Sequence, residues 1–378
     1  MIRLVVLIFF FLIALLTIFK APAYYFWLFA IVATEYPLIF VAITGVIMAT
    51  GFWVQKYQLA GTIIGVLAIV LYLSPIVRAY AIAATLKDEF TAAFGAGDAE
   101  TREAAPFSFT RMFAGNKPAA YKTLTYVKYA DTALTLNYYP SQTAGAKPCV
   151  IMVHGGSWAK GDKDQLPELN SYLARKGYNV AAIDYRMAPK YTNPAPVNDI
   201  KEALKYLRQH AAELKIDTNN FIFLGRSAGA QIALLAAYTL HDKSIKGVID
   251  FYGPADMVWG YSIPSNPWIM DSRGVMDAYL GGSYDVVPKN YVASSPLEFV
   301  SSYVPPTLII HGENDVLVAY EHSRRLDLKL EQHEVKHYWL KLPWATHGFD
   351  FSINGPGGQL ANYTIERFLK SVTQSKNE

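Results

Sequence analysis

The stretch that decides the fold is Gly225-Arg226-Ser227-Ala228-Gly229. It follows the apolar run 221–224 and precedes the helix-forming run 231–237, so the sequence predicts a strand, a sharp turn and a helix. Glycine suits both ends of such a turn because there is no room there for a Cβ atom. Ser227 at the apex is therefore a candidate nucleophile. The alternative is a serine that only caps the helix between two packing glycines.

Short apolar runs alternate with helix-length segments on both sides of this turn. Strands joined by helices form parallel sheets with right-handed crossovers, so we expect an α/β fold, a mostly parallel twisted sheet with helices on both faces. Functional residues of such a sheet lie at the carboxyl ends of its strands. The expected strands are 123–128, 133–139, 149–153, 180–183, 221–224, 245–251, 307–310 and 335–340, and the expected helices are 166–175, 196–209, 228–240, 320–331 and 358–372.

A loop with the sequence HGGSW, residues 154–158, directly follows the expected strand 149–153. Acyl transfer by a serine requires N–H donors at the point where the tetrahedral oxyanion forms, and a glycine turn supplies them from the backbone. We expect Gly155 and Gly156 to donate, together with the N–H of Ala228 just after the nucleophile. An ordinary pair of loop glycines is the alternative.

The general base and the acid that orients it are expected in the loops after two later strands. Asp315 follows the strand 307–310, and His347 follows the strand 335–340. The candidate catalytic set is therefore Ser227, Asp315 and His347 in chain order. The rivals are His311 as the base, which we expect to form structural hydrogen bonds instead, and Glu313 and Asp350 as the acid.

With these motifs, residues 121–372 resemble the α/β-hydrolase superfamily, closest to its hormone-sensitive-lipase-like and small carboxylesterase branches. Those branches carry an HGG-x loop, a D-Y-R-x-A-P segment and a G-x-S-A-G turn, which stand here at 154–157, 184–189 and 225–229. Two positions depart from the lipase pattern: Ser157 replaces a third glycine, and Arg226 replaces a common Asp or His. The HGG-x-W loop followed by Gly161-Asp162-Lys163 is similar to feruloyl-esterase-like, kynurenine-formamidase-like and isoprenylcysteine-methylesterase-like members.

This resemblance implies a cofactor-free, metal-free hydrolase of small or lipid-like carboxylic esters that works through an acyl-enzyme. An amidase, a peptidase or a prenylcysteine-methylesterase-like enzyme would use the same residues. A non-catalytic membrane scaffold on the same fold is a third class. In the segment 184–189, Asp184 and Arg186 are expected to anchor the loop by hydrogen bonds.

An aromatic-rich insertion, residues 254–300, separates the strands 245–251 and 307–310. We interpret it as a cap over an apolar pocket, and a surface excursion with ordinary packing aromatics is the alternative. We expect Trp158 to pack under its loop, but it also belongs to the candidate substrate contacts. Those candidates are Ser157, Trp158, Arg226, Trp259 and Trp268.

The first 77 residues contain only four charged side chains, Arg3, Lys20, Glu35 and Lys56, between three long apolar runs. A bilayer core requires about 20 apolar helical residues, so we expect about three membrane spans within residues 1–85. Two or four spans stay open because 21–34 could be interfacial or half of a broken helix. Residues 86–120 are expected to form a juxtamembrane linker whose aromatic side chains either rest on the bilayer or cover the site. Residues 121–378 are expected to form the catalytic domain.

The charge pattern bears on partners and location. A formal net charge of +3 without interleaved basic and aromatic residues excludes a nucleic-acid-binding surface, whereas the apolar helices predict a multi-pass protein bound to a lipid bilayer. The basic residues on the two sides of the last span are nearly balanced, whereas an odd number of spans with a cytoplasmic amino end would place the catalytic domain outside the cytoplasm, the side that we favour. Glu35 is expected at a helix break near the headgroups, with a functional role as the alternative. The single cysteine, Cys149, excludes a disulfide within the chain, and the oligomeric state stays open.

Overall fold

An eight-stranded sheet organises the chain in the structure, a computed structural model that describes residues 1–53, 55–95 and 104–373. Residue 54 and part of the expected linker, 96–103, lie outside the described residues, as do 374–378. The strand order is β1-β2-β4-β3-β5-β6-β7-β8, with β2 antiparallel to β1 and β4 and all later pairs parallel, which confirms the expected α/β class. The strands are β1 Lys122–Lys128, β2 Ala133–Tyr139, β3 Lys147–Val153, β4 Asn179–Ile183, β5 Ile216–Arg226, β6 Ile245–Phe251, β7 Thr307–Gly312 and β8 His337–Leu342.

Helices cover both faces of this sheet, so the central strands are apolar on both sides. In β3, Cys149, Ile151 and Val153 enter one buried cluster, whereas Val150 and Met152 enter the other, because successive side chains of a strand point to opposite faces. The helices of the domain are α5 Pro167–Arg175, α6 Ala195–Gln209, α7 Ala211–Leu214, α8 Ala228–Thr239, α9 Met257–Ser262, α10 Ser272–Leu280, α11 Pro288–Ala293, α12 Glu321–Gln332 and α13 Pro356–Thr373.

Four helices precede the sheet: α1 Ile2–Ala14, α2 Tyr24–Glu35, α3 Pro37–Ala49 and α4 Gln58–Phe94. Within the described residues, α4 alone is long and apolar enough to cross a membrane, and the bent pair of α2 and α3 would be a second such element if it formed one broken span. This is fewer than the roughly three spans expected from the sequence. The middle apolar run does not form one straight helix, because α2 and the segment 37–52 meet at an angle of 92°.

Helix α4 continues well past the expected span and contains Pro75. Proline has no N–H, so the carbonyl of Leu71 loses its helical partner. The hydroxyl of Thr17 supplies one, with Oγ1 donating to the Leu71 carbonyl oxygen at 3.1 Å. Arg78 in turn donates to the Thr17 carbonyl oxygen at 3.1 Å, so the segment after α1 is fastened to α4 at two successive turns.

Helix α2 lies on the catalytic domain. At its end, Glu35 is buried, and its Oε2 accepts a hydrogen bond of 3.0 Å from the N–H of Gly357 in the first turn of α13. The N–H groups in the first turn of a helix have no partner within that helix, and the Glu35 side chain supplies an acceptor for one of them. Glu35 therefore joins α2 to the domain. It lies at a helix break between α2 and α3, as expected, and its location near lipid headgroups stays a prediction.

The expected linker, residues 86–120, is divided in the structure: residues 86–94 are the last turns of helix α4, and residues 104–120 pack against α13 and α5. The N–H of Ser108 donates to Gln359 Oε1 at 2.9 Å, and the N–H of Ala119 donates to Ser171 Oγ at 3.0 Å. None of these described linker residues lines the cavities at the candidate site.

Candidate active site

Ser227 lies at the turn between β5 and α8 with φ 53° and ψ −120°, a backbone conformation that is strained for a non-glycine residue. Its N–H donates to the Phe251 carbonyl oxygen at 2.9 Å. A Cβ on Gly225 would lie 2.2 Å from the Gly229 carbonyl oxygen, and one on Gly229 would lie 2.3 Å from that of His154. The two glycines thus allow the turn to pack against the 154–158 loop, as the sequence predicts.

The glycine loop faces this serine. A Cβ on Gly155 would lie 3.4 Å from Ser227 Cβ, and Gly156 has φ +124° with the Lys160 carbonyl oxygen where its Cβ would be. The N–H of Gly155 donates to Gln165 Oε1 at 2.8 Å. Among the described residues, no group accepts from the N–H of Gly156 or of Ala228. Two of the three expected oxyanion donors are thus free, and the third is held by Gln165, a residue that the sequence did not indicate.

His347 and Asp315 form a buried pair in which His347 Nδ1 lies 2.7 Å from Asp315 Oδ2. The other carboxylate oxygen accepts from the N–H groups of Leu317 and Val318 at 2.8 and 2.9 Å. Burial acts to raise the pKa of Asp315, but the adjacent His347 and His311 outweigh it and hold this pKa below its usual range. Asp315 is therefore an anionic partner that fixes the orientation of the His347 ring.

The rival residues have other partners. His311 is fully buried, and its Nδ1 lies 2.7 Å from Ser323 Oγ while its Nε2 lies 3.1 Å from Asp315 Oδ2. It therefore makes the structural hydrogen bonds expected of it and supports the acid. Glu313 is exposed. Asp350 forms a buried ion pair with Arg226 Nε.

This ion pair connects the serine turn to the histidine loop. Asp350 also accepts from the hydroxyl of Tyr252, whose ring centroid lies 4.3 Å from that of His347. Trp27 of α2 reaches the same loop, with Nε1 donating to the His347 carbonyl oxygen at 2.9 Å. The backbone and ring of His347 are thus held from three directions, and Arg226 is part of that support.

Two cavities meet at Ser227. The smaller cavity, of about 340 Å³, is lined mainly by the 254–300 insertion and the loop after β7. The larger cavity, of about 520 Å³, is lined by α2, the 154–158 loop and the loop that contains His347. Ser157 and Met270 line both. The smaller cavity also contacts Lys20, Ala21, Trp158, Ile263, Met276 and His322, and the larger Tyr24, Trp27, Ile31, Gln165, Arg226 and His347.

The expected substrate contacts divide into two groups. Ser157, Trp158 and Arg226 line the cavities. Trp259 and Trp268 line neither, since Trp259 packs edge-on against His322 and Trp268 is 77% exposed. Trp158 is also mostly packed, as expected, with Nε1 donating to Gln231 Oε1 at 2.9 Å and its ring stacked on Tyr279.

His322 lies on the polar helix α12, a position that would predict a surface residue, but the structure places it inside. It is buried at the wall of the smaller cavity, where burial lowers its pKa to about 3, so it presents a neutral imidazole there.

Two predictions about the segment 184–189 are confirmed. Asp184 accepts from the Lys163 N–H at 2.9 Å, and Arg186 pairs with the buried Asp199 at 2.9 Å, so both hold loops in place.

Comparisons with known proteins indicate the family to which this chain belongs. The family model BD-FAE matches residues 137–330. The esterase LipC of Mycobacterium tuberculosis is 30% identical over 65% of this chain. The probable carboxylic ester hydrolase LipM of the same organism is 28% identical over 60% of this chain. The chain spans 64% and 55% of these two relatives. An acetyl esterase of Salmonella typhi is 28% identical over 67% of the chain and 80% of its own length.

Among solved structures, a bacterial heroin esterase superposes with a TM-score of 0.61 at 23% identity, covering 70% of this chain and 88% of that one. An esterase from the archaeon Pyrobaculum calidifontis superposes with a TM-score of 0.59 at 22% identity, covering 69% and 88%. The sheet, the serine turn and these likenesses define an α/β-hydrolase fold. Within that fold, the family match shows that the chain belongs to the BD-FAE family.

Proposed function

We propose that this protein is a membrane-anchored serine hydrolase that cleaves carboxylic esters through an acyl-enzyme. One observation carries the proposal: His347, oriented by the buried carboxylate of Asp315, lines the same cavity as a serine on a strained turn. A nucleophile, a base and an orienting acid in this arrangement are the parts of a hydrolytic triad. The names of the relatives LipC and LipM support an ester as the substrate.

The reaction follows from the hydrogen bonds. Because Nδ1 of His347 is bound to Asp315, the nitrogen left to take the Ser227 proton is Nε2. Ser227 Oγ attacks the ester carbonyl, and the N–H groups of Gly156 and Ala228 stabilise the oxyanion. The carbonyl oxygen displaces the Gln165 amide oxygen to gain the third donor, Gly155. His347 protonates the leaving alcohol and then activates the water that hydrolyses the acyl-enzyme.

Exposed apolar side chains on the N-terminal helices support the membrane anchor. Leu59, Val66 and Val70 of α4 are 75%, 47% and 58% exposed, and Val46 of α3 is 69% exposed. Proteins in water rarely present contiguous apolar surfaces of this size. We therefore place α1, α3 and the first half of α4 in the bilayer.

Labelling with a fluorophosphonate tests the nucleophile, with turnover of p-nitrophenyl acetate measured on the same samples. Ser227→Ala is expected to abolish labelling and to lower kcat by about 10³-fold or more. Ser157→Ala is the matched control, because Ser157 lines the same cavities but its Oγ contacts Met270 Sδ rather than a base. Labelling should persist in that variant. Folded wild-type protein that neither labels nor turns over ester would contradict the proposal.

A further inference from the structure

Helix α2 has two different sides. One side packs inward: Ile31 lies beside Gly348 of the catalytic domain, and Ala30 and Ala33 are buried against α1 and α4. The other side carries large apolar side chains that are partly or mostly exposed. The exposed fractions of these side chains are 75% for Tyr25, 45% for Phe26, 45% for Phe29 and 37% for Val32.

The inner side of α2 is fastened to the active site along its whole length. At the start, the N–H of Tyr24 donates to the Trp268 carbonyl oxygen at 3.0 Å. In the middle, Trp27 donates to the His347 carbonyl oxygen, and at the end Glu35 accepts from Gly357. These contacts hold Tyr24, Trp27 and Ile31 as one wall of the 520 Å³ cavity. The helix is thus a built part of the site.

The same cavity contains His347, whereas the 340 Å³ cavity does not. The leaving alcohol takes its proton from this imidazole, so the alcohol arm of the ester must lie beside it. The alcohol part of the ester, which is the leaving group, therefore lies in the cavity that α2 lines. The acyl arm then lies in the smaller cavity, under the 254–300 insertion.

We propose that α2 is the bilayer-side wall of the leaving-group cavity, and that the preferred substrates are esters whose alcohol arm is a long alkyl chain held in the membrane. The inference rests on the proposed ester hydrolysis at Ser227. The bend of 92° between α2 and the segment 37–52 carries the chain from the bilayer to the mouth of the site. The outer aromatic side of α2 lies in the lipid interface, where Tyr and Trp are favoured. An alkyl chain passes from lipid into the cavity beside Tyr24 without crossing water.

The test compares two acetate esters, ethyl acetate and dodecyl acetate, which share the acyl arm and differ in the alcohol. Acetate release by the purified full-length protein in detergent micelles is measured for Tyr24→Ala and Ile31→Ala. The matched controls on the outer side of α2 are Tyr25→Ala and Val32→Ala. Tyr24→Ala and Ile31→Ala should lower the dodecyl-to-ethyl ratio of kcat/KM by about 5- to 20-fold, the size expected for lost apolar contact. The controls should keep the wild-type ratio.

Equal ratios in Tyr24→Ala and Tyr25→Ala would overturn the inference while leaving the hydrolase intact. No release of acetate from either ester by wild-type protein would instead contradict the proposed function. Ile31→Trp is a second variant that fills the cavity and does not enlarge it. It should lower turnover of dodecyl acetate more than turnover of ethyl acetate, and the remaining turnover of ethyl acetate shows that the variant is folded.

A separate experiment tests whether the ester enters the cavity from the membrane. The protein is reconstituted into phosphatidylcholine vesicles, and dodecyl acetate is loaded either into the same vesicles or into protein-free ones. Rapid hydrolysis only in the shared bilayer supports entry from lipid. Equal rates in both cases would show delivery through water and would overturn this part of the proposal.

Discussion

The sheet domain and the N-terminal helices use apolar side chains in opposite ways. Leu308 in β7 is fully buried between layers of protein, whereas Leu67 in α4 is 48% exposed on a helix of 37 residues. In the domain, such residues exclude water by packing against one another. In the helices they face outward, which supports the proposed location of these helices in a lipid bilayer. Apolar runs of equal hydropathy therefore form a protein core in one region and, as we propose, a lipid-facing surface in the other.

The same substitution in both regions gives the largest expected effect. Leu308→Asp removes a buried leucine and buries a carboxyl, so it should cost more than about 5 kcal/mol of the free energy of unfolding and abolish soluble folding of the domain. Leu67→Asp should leave the domain folded and active in detergent. It should weaken insertion by about 2.5–3.5 kcal/mol, because a carboxylate is costly at the centre of a bilayer.

Thermal unfolding in detergent and the membrane-bound fraction after carbonate washing check both variants. Leu67→Ala is the control for the side-chain truncation and should stay membrane-bound. If Leu67→Asp unfolds the domain as Leu308→Asp does, the two regions do not differ in the way described above.

Two glycines sharpen the comparison at a smaller scale. Gly156→Ala places a methyl group 1.9 Å from the Lys160 carbonyl oxygen at φ +124°, so the loop must move. Displacing an oxyanion donor typically costs about 2.7–4 kcal/mol, so kcat on p-nitrophenyl acetate should fall about 10²- to 10³-fold. Gly45→Ala on α3 meets no atom within 4 Å and should leave kcat within twofold. A Gly156→Ala enzyme with wild-type kcat would show that this loop does not bind the oxyanion.

The pH dependence of stability tests a buried carboxyl in β6. Burial raises the pKa of Asp250 from 3.8 to about 7, although its Oδ1 accepts from the Gly253 N–H. Between pH 4 and 7 the folded protein therefore keeps a proton that the unfolded chain has lost. Stability contributed by this group is complete below pH 4 and decreases by about 1.4 kcal/mol per pH unit up to 7.

Urea unfolding of wild type and Asp250→Asn at pH 5 and pH 8 measures this slope. Asparagine retains the acceptor for Gly253 and does not titrate, so its midpoint should change less between the two pH values. Identical pH dependence in the two proteins would show that the interior at Asp250 is accessible to water.

The parts of the fold that the sequence predicts are those with local signals. The strands β1 to β8 and the turn at Ser227 follow from apolar runs and glycines, and their bounds agree with the structure within a few residues. Asp315 and His347 were found because strand ends of a parallel sheet meet at one edge. This prediction does not depend on how far apart Asp315 and His347 are in the sequence.

The parts that the sequence does not predict depend on contacts between distant segments. Trp27 and Glu35 are separated by more than 300 residues from His347 and Gly357, and nothing in an apolar run indicates which side will meet a catalytic loop. Gln165 is a side chain in a loop of no special pattern, and its hydrogen bond to Gly155 requires the folded geometry. His322 lies on a polar helix, which by itself indicates a surface position, yet the insertion covers it.

Helix α4 is a single rod of about 55 Å, and its two halves lie in different surroundings. Its first half is apolar and outward-facing, whereas Leu86 and Phe90 in its second half are buried against the sheet domain. With this first half in the bilayer, as proposed above, a rod shared in this way leaves no flexible joint between the membrane anchor and the sheet domain. The domain can then diffuse in the plane and spin about the membrane normal, but it cannot tumble. Every collision with a lipid-borne ester therefore presents the same face, and orientation is no longer part of the search.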